Sequence, residues 1–117
     1  MATYTKRQFS GSTDGAGIPV TALSGPGTTI HTAAASATTG PIDEVYMWAT
    51  AYNSARTLTI QYAATVTNDN DITLTLDPDD GLRSILPGLT LSNAKVVRAY
   101  ADATGVVCYG HVNRISP

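Results

Sequence analysis

The chain is 117 residues long and sets seven basic against nine acidic side chains, a formal charge of −2 at pH 7. That length fits one domain, and so weak a charge, with its basic residues scattered, offers no broad electrostatic draw for nucleic acid. No apolar run approaches the roughly 20 residues of a membrane helix, no secretory apolar segment follows Met1, and the single cysteine, Cys108, excludes an intrachain disulfide, which suits a protein assembled in a reducing cytoplasm.

Taken in order, the chain reads as a series of short strands. Residues 1–17 (MATYTKRQFSGSTDGAG) hold three glycines and few apolar side chains, and read as an extended N-terminal arm or a first edge strand. Tyr4 and Phe9 are its candidate anchors on a neighbour, beside the adjacent cations Lys6 and Arg7. Ile18–Leu23 is a short strand, confined by Pro19 to an edge or to a strand entry. Ser24-Gly25-Pro26-Gly27 is a turn, Thr28–Ala33 a strand, and Ala34–Gly40 a loop of small residues.

The stretch Asp43–Tyr62 (DEVYMWATAYNSARTLTIQY) is the most strongly patterned. Val45, Met47, Ala49 and Ala51 share one face of a strand, and Tyr46, Trp48, Thr50 and Tyr52 the other, because side chains alternate with a period of two. Leu58, Ile60 and Tyr62 repeat the pattern in a second strand, and Asn53-Ser54-Ala55 supplies turn chemistry between them. This reads as a hairpin. Tyr, Trp and Tyr seldom stand on a wet face, so both faces are expected to be covered, the aromatic one by a loop or a neighbouring subunit.

Thr65–Asp71 is a polar turn, Ile72–Leu76 a half-buried strand, and Asp77–Gly81 a turn by composition. Leu82–Leu91 is apolar but carries Pro87-Gly88, and reads as two extended pieces around a turn. Ala94–Ala101 and Val106–Ile115 are the last strands, with Gly110 a bulge or crossing point. About eight strands, Gly/Pro/Asp turns and no convincing helix predict an all-β fold, an antiparallel β-sandwich of jelly-roll-like type over residues 1–117. A domain of this size removes roughly 65% of its unfolded surface from water. Its core is thin, and subunit contacts are expected to add to its stability.

Catalytic chemistry finds little footing. His31 and His111 lie on separate strands. Cys108 and His111, three apart, point to opposite faces and share a metal only if Gly110 bulges. There is no nucleophile elbow and no glycine loop between a strand and a helix. Asp43-Glu44 and Asp79-Asp80 are adjacent pairs that diverge or face water, so no glycosidase pair is indicated. Asp69, Asp71, Asp77, Asp79 and Asp80 are hard oxygen ligands of the kind calcium takes, but their spacing fails the EF-hand pattern, and solvated turns are the simpler reading. No enzyme, cofactor or metal is expected. Tyr46, Trp48 and Tyr52 suit a subunit interface or, in the alternative, a carbohydrate-binding face.

Three segments carry a resemblance: SGSTDGAGIPVTALSGPGTTIHTA at 10–33, DEVYMWATAYNSARTLTIQY at 43–62, and ILPGLTLSNAKVVRAYA with GHVNRI at 85–115. Together they resemble small β-rich virion proteins of tailed, marine-type bacteriophages, the group associated with capsid decoration or cement. The resemblance implies a module on the capsid surface, bound to the major capsid protein, homo-oligomeric with a trimer favoured, and assembled in the host cytoplasm without nucleic acid or membrane contact. A tail or fibre module is the alternative within the particle. The chain does not resemble the lambda-type decoration protein, so no binding residues transfer from that group. The expected partner contacts are Tyr4, Lys6, Arg7, Phe9, Tyr46, Trp48 and Tyr52.

Overall fold

The computed structural model describes residues 2–35, 40–65 and 70–117, and among them there is no helix. The described residues form nine strands: β1 Thr3–Gln8, β2 Ile18–Pro19, β3 Thr28–Thr32, β4 Ile42–Ala51, β5 Arg56–Tyr62, β6 Asp71–Leu76, β7 Arg83–Ser92, β8 Val96–Ala101 and β9 Val106–Ser116. They form two antiparallel sheets. Sheet A runs β1-β9-β4-β7, with β2 also paired to β9, and sheet B runs β3-β8-β5-β6. This is the expected β-sandwich, with nine strands in place of about eight.

Alternation along β4 builds the core. Val45, Met47, Ala49 and Ala51 are fully buried. They join Val106, Cys108 and Val112 of β9 and Leu86 and Leu91 of β7 against Ile30, Leu58, Ile60, Leu76, Val97, Ala99 and Ala101 of sheet B. Burying each of the Val, Leu, Ile and Met side chains contributes about 1.5–3 kcal/mol.

Asp43–Tyr62 is not a hairpin. β4 pairs with β9 and β7, and β5 with β6 and β8. The link through Asn53 and Ser54 steps from one sheet to the other, tied by the Tyr52 N–H donating to the Gly105 carbonyl at 3.1 Å. In a hairpin, Met47 and Ile60 would share one sheet face. In the sandwich the two apolar rows face each other, and each row buries the other.

Leu82–Leu91 is also simpler than expected, a single strand from Arg83. β7 is an edge, so Pro87 forfeits no ladder bond there. The register with β4 shifts at two places, between Val45 and Tyr46 and between Met47 and Trp48. The first shift skips Gly88, whose φ of 105° is open mainly to glycine.

The segment expected as an arm pairs within its own chain. Thr3–Gln8 lies antiparallel on β9 from Ser116 to His111, and Phe9, 1% exposed, closes over the core. Gly110 makes the room. It is not a bulge, because the β4–β9 register runs unbroken past Met47↔Gly110. A Cβ at 110 would overlap the Tyr46 carbonyl oxygen and come within 2.8 Å of the Phe9 ring. Gly110→Ala is therefore expected to destabilise by about 1–3 kcal/mol, as overpacking does. A thermal melt followed by circular dichroism checks this, and an unchanged midpoint would overturn the close approach of Gly110 to the Tyr46 carbonyl and the Phe9 ring.

Candidate interaction surface

The register across sheet A fixes what its outer face presents. Opposite residues of an antiparallel pair share a face. Tyr4, Ile115, Ile42 and Ser92 therefore form one row, and Lys6, Asn113, Glu44 and Thr90 the next. Gln8, His111, Tyr46 and Pro87 follow, then Tyr109, Trp48 and Ser84. An apolar corner, a charged band and an aromatic band thus lie on one surface, with Tyr4, Ile42 and Tyr109 exposed.

The aromatic band is built on a histidine. The His111 ring stacks on Tyr46 at 5.1 Å between centroids and 15° between planes, and on Trp48 at 5.9 Å and 27°. Burial first, and the charge of Lys6 second, hold the His111 imidazole below its ordinary value. A neutral ring is what such a stack accommodates at least cost, since protonation would place a cation beside Lys6. Tyr46 also packs on backbone, for a Cβ on Gly88 would stand 3.1 Å from its ring. These contacts engage the ring faces that a sugar platform leaves open. The band suits a partner that packs over rings and edges together.

A second polar constellation sits inside the sandwich. Asp43, fully buried on β4, accepts from Arg114 of β9 twice, Nε to Oδ1 at 2.8 Å and Nη2 to Oδ2 at 3.0 Å. The same Oδ2 lies 2.7 Å from Nε2 of His31 on β3, in the opposite sheet. The Ser10 backbone N–H donates to His31 Nδ1 at 3.0 Å. A backbone amide only donates, so Nδ1 carries the lone pair and Nε2 donates to Asp43. Burial pushes the Asp43 carboxyl up, but the Arg114 and His31 hydrogen bonds outweigh it, and the group stays below its usual 3.8.

Ser10, His31 and Asp43 have the composition of a hydrolytic triad but not its geometry. Both imidazole nitrogens are engaged, and the Ser10 hydroxyl accepts from the Thr32 N–H at 2.8 Å. No ring nitrogen is left to take a proton from a substrate. The cluster fastens β3, β4, β9 and the chain after β1. Near it, Tyr62 of β5 donates across the sandwich to the Thr90 carbonyl of β7 at 2.9 Å. Burial, then the charge of Asp43, pushes the Tyr62 phenol up to about 12.

Of the residues expected to contact a partner, Tyr4, Lys6, Tyr46 and Trp48 share the outer face of sheet A. Arg7 lies on the other side of β1. Phe9 is core, so its side chain is not offered to a neighbour. Tyr52 stands exposed beyond the end of β4, outside the stack. The aliphatic row is covered as expected, while the aromatic row is half-buried by its own chain and open beyond that. His111 and Tyr109 were not singled out as contacts; they belong to the face because β9 lies beside β4. Cys108 and His111 point to opposite sides, as their spacing requires. Among the described residues no three His, Cys, Asp or Glu side chains gather as a metal site; Asp69 lies outside those residues, and Asp77, Asp79 and Asp80 are exposed in their turn.

Asp43→Asn is expected to cost about 3 kcal/mol, the lower end of the range for breaking a buried pair, read from the urea midpoint at pH 7. The native Asp43 pKa is lowered, so its contribution is complete above the unfolded value of about 3.9 and is lost as pH falls through the native value. The wild-type midpoint should therefore fall more steeply below pH ~4 than that of the variant, and parallel curves would contradict the assignment. Burial pushes the Cys108 thiol up to about 12, so Ellman's reagent should label it only on unfolding. Comparison of the chain with family models, curated proteins and solved structures finds no match.

Proposed function

We propose that the protein is a structural component of a tailed-phage particle, a decoration or cement protein on the outer surface of the capsid. In this reading it binds the major capsid protein as a homo-oligomer and stabilises the shell by burying surface across subunit joints, without chemistry of its own. The observation that carries the proposal is the outer face of sheet A, where an aromatic band (Tyr46, Trp48, Tyr109, His111) and an apolar corner (Tyr4, Ile42, Ile115) flank a charged band on a rigid sheet. Aromatic anchors ringed by polar groups are the composition of a protein-binding surface. A standard interface buries about 1,600 Å² in total, and repetition over a lattice multiplies modest contacts.

Two further points support the reading. The resemblance to virion proteins covers residues 10–33, 43–62 and 85–115, which include β2, β3, β5, β8 and most of β4 and β7. The connectivity supports a jelly roll. With β1 and β2 counted as one interrupted strand, the order is first-eighth-third-sixth in sheet A and second-seventh-fourth-fifth in sheet B, two interleaved Greek keys.

Mass spectrometry and cryo-electron microscopy of particles from the phage that encodes this chain test the proposal. The expected result is a copy number of the order of the capsid lattice, with sheet A against the shell. A few copies at the tail would replace this reading with a tail or fibre module, and no copies would end both. In reconstitution on undecorated heads, Trp48→Ala is expected to weaken binding about 30-fold, the 2 kcal/mol typical of an interface anchor, without changing the far-ultraviolet circular dichroism.

A further inference from the structure

An open sandwich has four sheet edges, and each presents unpaired backbone groups that invite another strand. Three are defended here. On the β1–β2 edge, Lys6 and Arg7 place a cation on each face of the strand, and β2 carries Pro19. On the β7 edge the register slips twice, around Pro87-Gly88 and again beyond Leu86. The β3 edge is occupied, with the Gly11 N–H donating to the Ile30 carbonyl at 3.0 Å and the Thr32 N–H to Ser10 Oγ at 2.8 Å.

β6 carries no cation, proline or register slip of its own, and its defence is a single side-chain bond at one end. Asp71–Leu76 (DITLTL) pairs with β5 over six residues without a register shift, and contains no Lys, Arg, Pro or Gly. Thr57 spends its N–H on Asp102 Oδ1 at 3.1 Å and its carbonyl on the Asp102 N–H at 3.2 Å, both on the β8 side. In an antiparallel ladder the amide groups alternate in direction, so those of Thr73 and Thr75 point away from β5, to the open edge. The Thr75 carbonyl accepts from Arg83 Nη1 at 3.0 Å. Among the described residues, the outward groups of Thr73 meet no strand.

The edge is complementary to itself. Antiparallel pairing of two copies about Thr73 sets Thr73 against Thr73, which exchange both backbone hydrogen bonds. Ile72 meets Leu74 twice on the core side. Asp71 meets Thr75, whose carbonyl already holds the Arg83 guanidinium, so each end sets an acid beside a base. By contrast, pairing of β1 with itself about Lys6 would oppose two cations.

We propose that β6 is the seam of a two-fold dimer, joining the four-stranded sheet B of one protomer to that of its partner as a continuous sheet. The seam does not depend on capsid binding and uses the sheet opposite the proposed docking face. It also departs from the trimer that the virion resemblance favours, because an isologous contact closes at two copies.

Sedimentation velocity of the purified full chain, from micromolar to submillimolar concentration, tests the seam. The expected species is a dimer of the 12.2 kDa chain. Thr73→Pro removes the outward N–H at a position where an edge strand tolerates proline. Thr73→Lys sets two cations against each other at the centre of the pairing, and is the variant to read if the proline form fails to fold. Each should raise the dimer dissociation constant by about tenfold or more with circular dichroism unchanged, while Thr5→Lys, at an exposed position of β1, leaves it as it was. A wild-type monomer at every concentration, a trimer, or a dimer indifferent to residue 73 overturns the proposal.

Discussion

β4 can bury only every second side chain, and it does so at the centre of its sheet with a neighbour on each side. That constraint fixes the rest. Once Val45, Met47, Ala49 and Ala51 face sheet B, Tyr46 and Trp48 must face outward. The unbroken register to β9 then sets His111 beside the first and Tyr109 beside the second. The outer face follows from the core, because each outward ring is held by an inward aliphatic neighbour one residue away. A partner that reads this face reads a surface whose spacing the interior has already set.

The polar cluster at the end of the sandwich guards that register. A slip of β4 by one residue would turn its aliphatic row to solvent and its aromatic row inward. It would also carry Asp43 out of reach of Arg114 and His31 and bring Glu44 to the core side. A buried ion pair is a poor source of net stability, because desolvation offsets much of the attraction, but stranding one partner is costly. Asp43 therefore acts mainly by penalising wrong pairings. His31 extends the penalty to the opposite sheet, and Ser10 extends it to the chain entering from β1, where Phe9 is already committed to the core.

The strands were legible in the sequence because a period of two survives whatever the strand pairs with. The partners were not legible. Asn53-Ser54-Ala55 announces a reversal, and the same residues serve a hairpin or a step between sheets. Only the reward for facing two apolar rows across a core decides between them. Pro87-Gly88 has the composition of a turn, yet at an edge, where no ladder bond is forfeited, it becomes a bulge. Phe9 looked like an arm's anchor because nothing near it in sequence is apolar; its pocket is made by Gly110, a hundred residues on. His111 carried a weak signal. Its parity with Tyr109 was visible along β9, but its place between Tyr46 and Trp48 depends on a long-range register. The Ser10, His31, Asp43 and Arg114 cluster left no signal, since its members come from four separate segments.

The two proposed contacts divide the molecule in a way that explains its uneven surface. The outer face of sheet A is aromatic and apolar at its ends, while that of sheet B carries Thr57, Thr59, Thr73 and Thr75, with Thr59 and Thr73 bridged through their hydroxyls at 3.3 Å. A threonine face gives little area to an anchor; Thr59 is buried, Thr57, Thr73 and Thr75 stand wet at little cost, and the β-branched residues keep the strand extended to its edge. A face suits a foreign surface, where specificity comes from side chains. An edge suits a second copy, where backbone groups pair with their equals and symmetry supplies the register. A dimer joined at β6 would hold two docking faces at a fixed separation. On a repeating lattice the second would bind at the effective concentration set by the first, so weak single contacts would add up to lasting attachment.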